Sequence, residues 1–344
     1  ARGLIKQRLL DRKGACIDWR FALSSKRGDA KDLVEKYCQS DITSDNKSGN
    51  EFDVQDGDAY FNSANEKAEN GDNYGAISDY TKAIEINPQD GDAYYNRAIA
   101  KRKLKDYYGA ISDYTKAIEI NPNHSQSYLN RGFAKGTLKN YYGAISDFTK
   151  AIEINPNYAK AYNNRGWNKA ELKDYYGAIS DYTKAIEINP KDSKAYYNRG
   201  WNKGKLKDYY GAISDFTKAI EIKPNYAEAY NNRGWNKAQL KDYYGAIADY
   251  TTAIEIKPNY ALAFSNRGFS KVELEDYYGA IADYTKAIEI KPNDADAYVN
   301  RGRSNYFINK KWDACYNFKK AVSLGSISTK EWLNSDSGSW CRDI

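Results

Sequence analysis

Methionine is absent from the 344 residues; histidine occurs once, cysteine four times and proline seven times. A chain without methionine does not begin at its own start codon, so a processed, truncated or partial sequence is expected. The lone histidine, His124, has no second histidine and no cysteine near it, which argues against a metal site. It lies beside Pro122 and is expected to be a solvated loop residue. No run of about 18 apolar residues occurs, so no membrane-spanning helix is expected. No signal peptide is visible, although a cleaved one leaves no trace. There is no phosphate-binding glycine-rich loop and no nucleophile elbow. Acidic residues are plentiful, but Asp181, Glu187, Asp215 and Glu221 recur in a pattern, which suits surface and packing roles better than an acid–base pair. No cofactor and no catalysis are expected. The net charge of +6 is modest and mixed in sign along the chain. It describes a solvated surface and not a nucleic-acid footprint.

What the chain has in excess is periodic. Pro88, Pro122, Pro156, Pro190, Pro224, Pro258 and Pro292 each stand 34 residues from the next. Tyr60, Tyr94, Tyr128, Tyr162, Tyr196, Tyr230, Phe264 and Tyr298 keep the same period. So do the Gly-Ala pairs at Gly75, Gly109, Gly143, Gly177, Gly211, Gly245 and Gly279. Self-similarity at a fixed period marks a repeat architecture, here eight units over residues 57–325. In one unit Ala161, Tyr162, Gly166 and Leu172 have helical spacing. Asp174-Tyr175-Tyr176-Gly177 is expected to break that helix. Ala178, Ile179, Tyr182, Ala185, Ile186 and Ile188 then form the apolar face of a second helix, which Asn189-Pro190 ends. Two short helices cannot bury their apolar faces alone, but stacked neighbours bury them together.

The pattern resembles the tetratricopeptide repeat family on Tyr162, Arg165-Gly166, Lys169, Ala178, Tyr182 and Pro190. The resemblance implies an all-α, right-handed superhelical solenoid of 34-residue helix-turn-helix units, whose first helices line the concave surface. Two positions depart from the family. Arg165 and Lys169 replace an apolar pair, as do Arg97/Lys101, Arg131/Lys135, Arg199/Lys203, Arg233/Lys237 and Arg267/Lys271. A buried arginine needs an acidic partner, and second-helix aspartates such as Asp113 and Asp181 are expected to supply it.

The two ends share one layout. Arg2-Gly3 leads to Gly14-Ala15 at the offset that separates Arg165-Gly166 from Gly177-Ala178, so residues 1–40 read as a partial unit with a capping helix at 29–38. Residues 41–56, acidic and rich in Ser, Asp, Asn and Gly, read as a flexible linker. Arg301-Gly302 leads similarly to Asp313-Ala314, and residues 326–344 read as a capping helix near 328–336 and a tail. The cysteines are confined to these endings. Two disulfides, Cys16–Cys38 and Cys315–Cys341, are expected, each tying a cap to its last unit. Such bonds place the protein in a secreted or periplasmic setting; four free thiols in the cytoplasm is the alternative.

Two rows map onto the concave face that the resemblance implies. One is Asn96, Asn130, Asn164, Asn198, Asn232, Asn266 and Asn300, with Asn62 before them. A ladder of amides can pair with an extended peptide backbone, or each amide can order the stack by pairing with the neighbouring helix. The other is Phe133, Trp167, Trp201, Trp235 and Phe269, either an apolar binding stripe or ordinary packing. Arg102/Lys103, Gly136/Thr137, Ala170/Glu171, Gly204/Lys205 and Ala238/Gln239 vary most between units and are candidate specificity positions. Members of the family that clamp a C-terminal carboxylate use lysine and asparagine, then asparagine, then lysine and arginine. Lys160, Asn164 and Asn198 match the first part, but Glu228 and Asn232 follow. Lys194, Asn198 and Asn232 are followed by Leu262 and Asn266. A clamped C-terminal carboxylate is therefore not expected. The function expected is a non-catalytic scaffold holding a protein or extended peptide in the groove. A self-assembling fibre and carbohydrate binding through the tryptophan row are the alternatives.

Overall fold

The computed structural model of the protein describes residues 54–341. The expected partial unit at 1–40, most of the linker and the Cys16–Cys38 pair lie outside the described residues. The chain divides into two units, Ala1–Gly57 and Asp58–Ile344, and the described residues belong almost entirely to the second.

Among the described residues the secondary structure is helical throughout. Eight helix pairs follow one another: α1 (Val54–Glu69) and α2 (Asn73–Ile86), α3 (Gly91–Lys103) and α4 (Tyr107–Ile120), α5 (Ser125–Thr137) and α6 (Tyr141–Ile154), α7 (Ala159–Glu171) and α8 (Tyr175–Ile188). Then come α9 (Ser193–Lys205) and α10 (Tyr209–Ile222), α11 (Ala227–Gln239) and α12 (Tyr243–Ile256), α13 (Ala261–Glu273) and α14 (Tyr277–Ile290), α15 (Ala295–Phe307) and α16 (Lys311–Ser323). A short α17 (Ile327–Asn334) and a 3₁₀ turn (Asp336–Cys341) close the array. This is an all-α solenoid of antiparallel helix pairs.

The fourth pair shows how the sequence writes the unit. Leu172 is the C-cap of α7. Lys173 then adopts φ 63°, in the left-handed region. Asp174 caps α8 by accepting a hydrogen bond from the Gly177 N–H at 2.9 Å. A Cβ on Gly177 would collide with that carboxylate, so the cap and the glycine require one another. The helix thus starts at Tyr175, and the break expected at Asp174–Gly177 falls two residues earlier, because a capped Asp-x-x-Gly begins a helix and does not interrupt one. Ala178, Tyr182, Ala185 and Ile186 are buried along one face of α8. Gly166 lets α7 approach that face, since a Cβ there would meet the Tyr182 ring at 3.1 Å. Asn189, before Pro190, is the C-cap.

An ionic staple joins neighbouring units. The Arg165 guanidinium donates through Nε and Nη2 to Asp181 at 2.9 and 2.7 Å. Its Nη1 donates to Thr149 Oγ1 of the preceding unit at 3.0 Å. Lys169 completes the group, 2.8 Å from Asp181, whose side chain is buried. The arrangement recurs at Arg97, Arg131, Arg199, Arg233 and Arg267. A fully paired buried carboxylate fixes register, and loss of one partner strands a charge.

At the C-terminal end Cys315 and Cys341 form a disulfide with a Cα–Cα distance of 5.3 Å. It ties the 3₁₀ turn behind α17 to α16. The last unit is less polar outside than a closing repeat is expected to be. Trp312, Tyr316 and Ile327 are 70, 65 and 72 % exposed.

Candidate functional site

Successive first helices approach one another from α5 through α15, whereas successive second helices do not come as near. The first helices therefore lie on the inner side of the curve. Each carries an exposed stripe at helix positions i, i+4, i+7 and i+11, which share one face. In α7 the stripe is Lys160, Asn164, Trp167 and Glu171; in α9 it is Lys194, Asn198, Trp201 and Lys205; in α11 Glu228, Asn232, Trp235 and Gln239; in α13 Leu262, Asn266, Phe269 and Glu273.

The asparagine row divides. Asn96 donates to Asn65 Oδ1 at 3.4 Å, Asn130 to the Tyr95 hydroxyl at 3.0 Å, Asn232 to the Tyr197 hydroxyl at 2.9 Å and Asn266 to Asn231 Oδ1 at 3.0 Å. Those four order the stack. The side-chain amides of Asn164, Asn198 and Asn300 take no hydrogen bond among the described residues; of these three, only backbone carbonyls accept, from Asn168, Asn202 and Ser304.

Phe133, Trp167, Trp201, Trp235 and Phe269 are between 39 and 46 % exposed. The three indoles sit edge-on against Tyr141, Tyr175 and Tyr209 of the preceding second helices, with centroids 6.1 to 6.3 Å apart. Each ring thus has one packed edge and one open side. Lys205 Nζ lies 4.9 Å from the Trp201 centroid, and Arg102 lies over Phe133. Between α9, α11 and α13 the stripes border a cleft of about 260 Å³, lined by Trp201, Lys205, Trp235, Leu262 and asparagines that include Asn232 and Asn266.

Of the variable pairs, the first members Gly136, Gly204 and Ala238 are buried. Only the second members, Lys103, Thr137, Glu171, Lys205 and Gln239, reach the stripe. A further variable row is the first position of each stripe: Asp92, Gln126, Lys160, Lys194, Glu228, Leu262 and Asp296. Four of these, Lys160, Lys194, Glu228 and Leu262, enter the sequence reading only through the carboxylate clamp, although the row stands four residues before each asparagine. A second missed set lies on the other helices. Tyr74, Tyr108, Tyr142, Tyr176, Tyr210, Tyr244 and Tyr278 are 68 to 77 % exposed. Read as a loop, Asp-Tyr-Tyr-Gly concealed that its second tyrosine stands on a helix surface.

His124 corrects the expectation of a solvated loop residue. It is half-buried at the start of α5, with Nδ1 2.7 Å from Ser127 Oγ and its ring edge-on to Tyr95 at 4.7 Å. Among the described residues no group of His, Cys, Asp and Glu could hold a metal ion, and no helix is long and apolar enough to cross a membrane.

Family models described as tetratricopeptide repeat match residues 57–90, 91–124, 125–158, 159–192, 193–226 and 227–260, and one described as TPR repeat matches 270–306. The chain belongs to the tetratricopeptide repeat family. No curated protein matches it. Solved structures do. The C-terminal part of a TPR repeat-containing protein from Cytophaga hutchinsonii is 21 % identical, with a TM-score of 0.60 over 70 % of this chain and 98 % of its own. A tetratricopeptide repeat protein from Parabacteroides merdae is 22 % identical, with a TM-score of 0.55 over 71 % of this chain and 97 % of its own. YrrB, described as a TPR protein with an unusual peptide-binding site, is 26 % identical, with a TM-score of 0.48 over 54 % of this chain and 95 % of its own.

Proposed function

We propose that the protein is a non-catalytic scaffold that holds an extended protein segment against the exposed stripes of its first helices. The observation that carries this reading is the unpaired state of the Asn164 and Asn198 side-chain amides, each three residues before a half-open indole, Trp167 and Trp201. A free amide on an accessible face offers N–H donors and a carbonyl acceptor together, the complement of a peptide backbone. Random linear peptides are to be selected against the full chain and the winners mapped by hydrogen exchange. Protection is expected in α7, α9 and α11; protection confined to the second helices would sink the reading.

A second reading is self-association into a fibre. The seven exposed tyrosines support it, because an identical aromatic on each of seven units offers a repeating lateral contact. Sedimentation across a hundredfold concentration range separates the two: a fibre grows, a scaffold stays discrete.

The Cys315–Cys341 bond supports an oxidising compartment, secreted or periplasmic, in preference to the cytoplasm. Intact mass of protein from its native source, before and after thiol alkylation, tests this. Alkylation at both cysteines without prior reduction would return the protein to the cytoplasm.

A further inference from the structure

We infer that the segment held by the groove is acidic on one side of a single large apolar side chain, with the apolar residue in the cleft of α9, α11 and α13 and the acids against Lys160, Lys194 and Lys205. This rests on the groove reading above and names the chemistry of its occupant.

Three independent features of the stripes converge on the same stretch. The first is charge. The stripe of α9 carries two lysines, Lys194 and Lys205, and no acid, and Lys160 adds a third cation from α7. None of the three makes an ion pair among the described residues, although Lys205 lies over the Trp201 ring at 4.9 Å. The acids further along are engaged elsewhere. Glu228 meets Lys257 at 3.0 Å, and Glu273 accepts the Tyr243 hydroxyl at 3.0 Å. Glu171, at the far end of the α7 stripe, is the acid left in this stretch. In α1 the corresponding positions are Asp58 and Glu69, and in α7 Glu171 balances Lys160, so the net positive stripe is that of α9, with Lys160 beside it, and is not a property of the repeat.

The second feature is the free amides. Lys160 and Asn164 stand four residues apart on α7, as Lys194 and Asn198 do on α9. Unpaired ammonium and unpaired amide therefore share a face twice in succession. A carboxylate side chain taking the ammonium leaves its own backbone within reach of an amide of the same stripe.

The third feature is the apolar wall. Leu262 is 53 % exposed at a position that carries Asp92, Lys160, Lys194, Glu228 and Asp296 in other units. An exposed leucine in a row otherwise polar or charged, facing a cleft lined also by Trp201, Trp235, Lys205 and asparagines, suits a large apolar side chain with a carboxylate beside it to meet Lys205. A cleft of about 260 Å³ has room for one such side chain. The site reads side chains and not a chain terminus, since the bases needed to clamp a terminal carboxylate are missing at Glu228 and Leu262.

The test uses the full chain with 15N-labelled tryptophan and two synthetic peptides about twelve residues long. Both are acetylated and amidated, built of Ser and Thr, and carry one Leu with two Glu on its N-terminal or its C-terminal side. One of the two orders is expected to shift the indole signals of Trp201 and Trp235. Replacing both Glu by Gln is expected to weaken binding about tenfold in low salt, with the difference closing at high salt. Replacing Leu by Ser is expected to weaken it about tenfold or more. The double variant Lys160→Gln, Lys194→Gln should weaken the Glu-over-Gln preference, and Leu262→Ser should weaken the Leu-over-Ser preference, each while keeping the other. Equal binding of the Glu and Gln peptides overturns the inference and leaves the groove reading standing. Indole shifts at Trp167 and Trp235 with random-library winners that lack both acid and apolar anchor do the same. No indole shift with the designed peptides and none with library winners overturns both.

Discussion

Arg301 donates through Nε to Asn317 Oδ1 at 2.9 Å, at the place where every arginine from Arg97 to Arg267 meets an aspartate. Its Nη1 still reaches Thr285 of the preceding unit at 3.1 Å. The staple survives in outline but has lost its countercharge. Burial pushes the Arg301 guanidinium below its ordinary value, and Asp313 opposes that shift from the first turn of α16. Asn317→Asp should restore the charged pair. Against it stands the bond from Asn317 Nδ2 to the Asp313 carbonyl at 2.6 Å, which an aspartate cannot make. The charged pair is the stronger of the two, so a net gain of about 1 kcal/mol is expected. Guanidinium unfolding measures it; a loss of stability would mean that the Asp313 bond dominates. The converse change in the middle of the array, Asp181→Ala, leaves Arg165 and Lys169 unpaired and should cost about 3–5 kcal/mol.

Lys105, Lys139, Lys173, Lys207 and Lys241 all have φ between 62° and 64°, while the first unit places Gly71 at the same turn. A side chain in the left-handed region costs roughly 1–2 kcal/mol, and glycine avoids it at the expense of a more flexible unfolded chain. The lysines are exposed and carry no packing at the turn. Lys173→Gly should therefore stabilise by a few tenths of a kcal/mol up to about 1. Lys139→Gly and Lys241→Gly are far enough apart to add. Calorimetry of the triple variant checks this, and a lowered midpoint would show that the lysines hold the turn by contacts of their own.

Burial raises the phenols of Tyr182, Tyr250 and Tyr284 well above 10.0, and those of Tyr80 and Tyr114 to about 12. The folded state thus keeps its proton longer than the unfolded chain. The linked stability is complete below about pH 10 and is lost as pH rises through the folded values. Phe148 and Phe216 occupy the equivalent positions in two units, so phenylalanine fits the site. Tyr182→Phe, Tyr250→Phe and Tyr284→Phe together should change stability at pH 7 by no more than about 0.5 kcal/mol each. They should reduce its fall between pH 10 and about 11.5. Denaturant midpoints across that range decide the matter, and an unchanged alkaline slope would remove these tyrosines as its cause.

How far the sequence disclosed this molecule depends on whether neighbouring units were needed to read a residue. The helix pairs follow from local spacing, and the Arg165–Asp181 pair follows from a charge at a position that must be buried. Both signals lie within one repeat. The stripe position of Leu262 and the free amide of Asn198 depend on what stands 34 or 35 residues away. Asn232 is paired because Tyr197 precedes it, whereas Leu129 stands at the matching place before Asn164. A repeat read in isolation shows the same asparagine in both.

Trp201 and Phe216 separate groove from core within one unit. Trp201 is 39 % exposed and packs edge-on against Tyr175 alone among the rings, whereas Phe216, on α10, is fully buried in a cluster with residues of α9 and α11. From the sequence, Trp201→Ala carries an expected cost of about 3–5 kcal/mol if the ring is core. The half-open position lowers that to about 1–2 kcal/mol, because less area leaves water and no closed cavity forms. Phe216→Ala removes a ring with no exposed side and should cost the full 3–5 kcal/mol. Parallel denaturant titrations of the two variants provide the comparison. Equal losses would place the tryptophan in the core and withdraw it from the groove, and with it the wall that a bound side chain would touch.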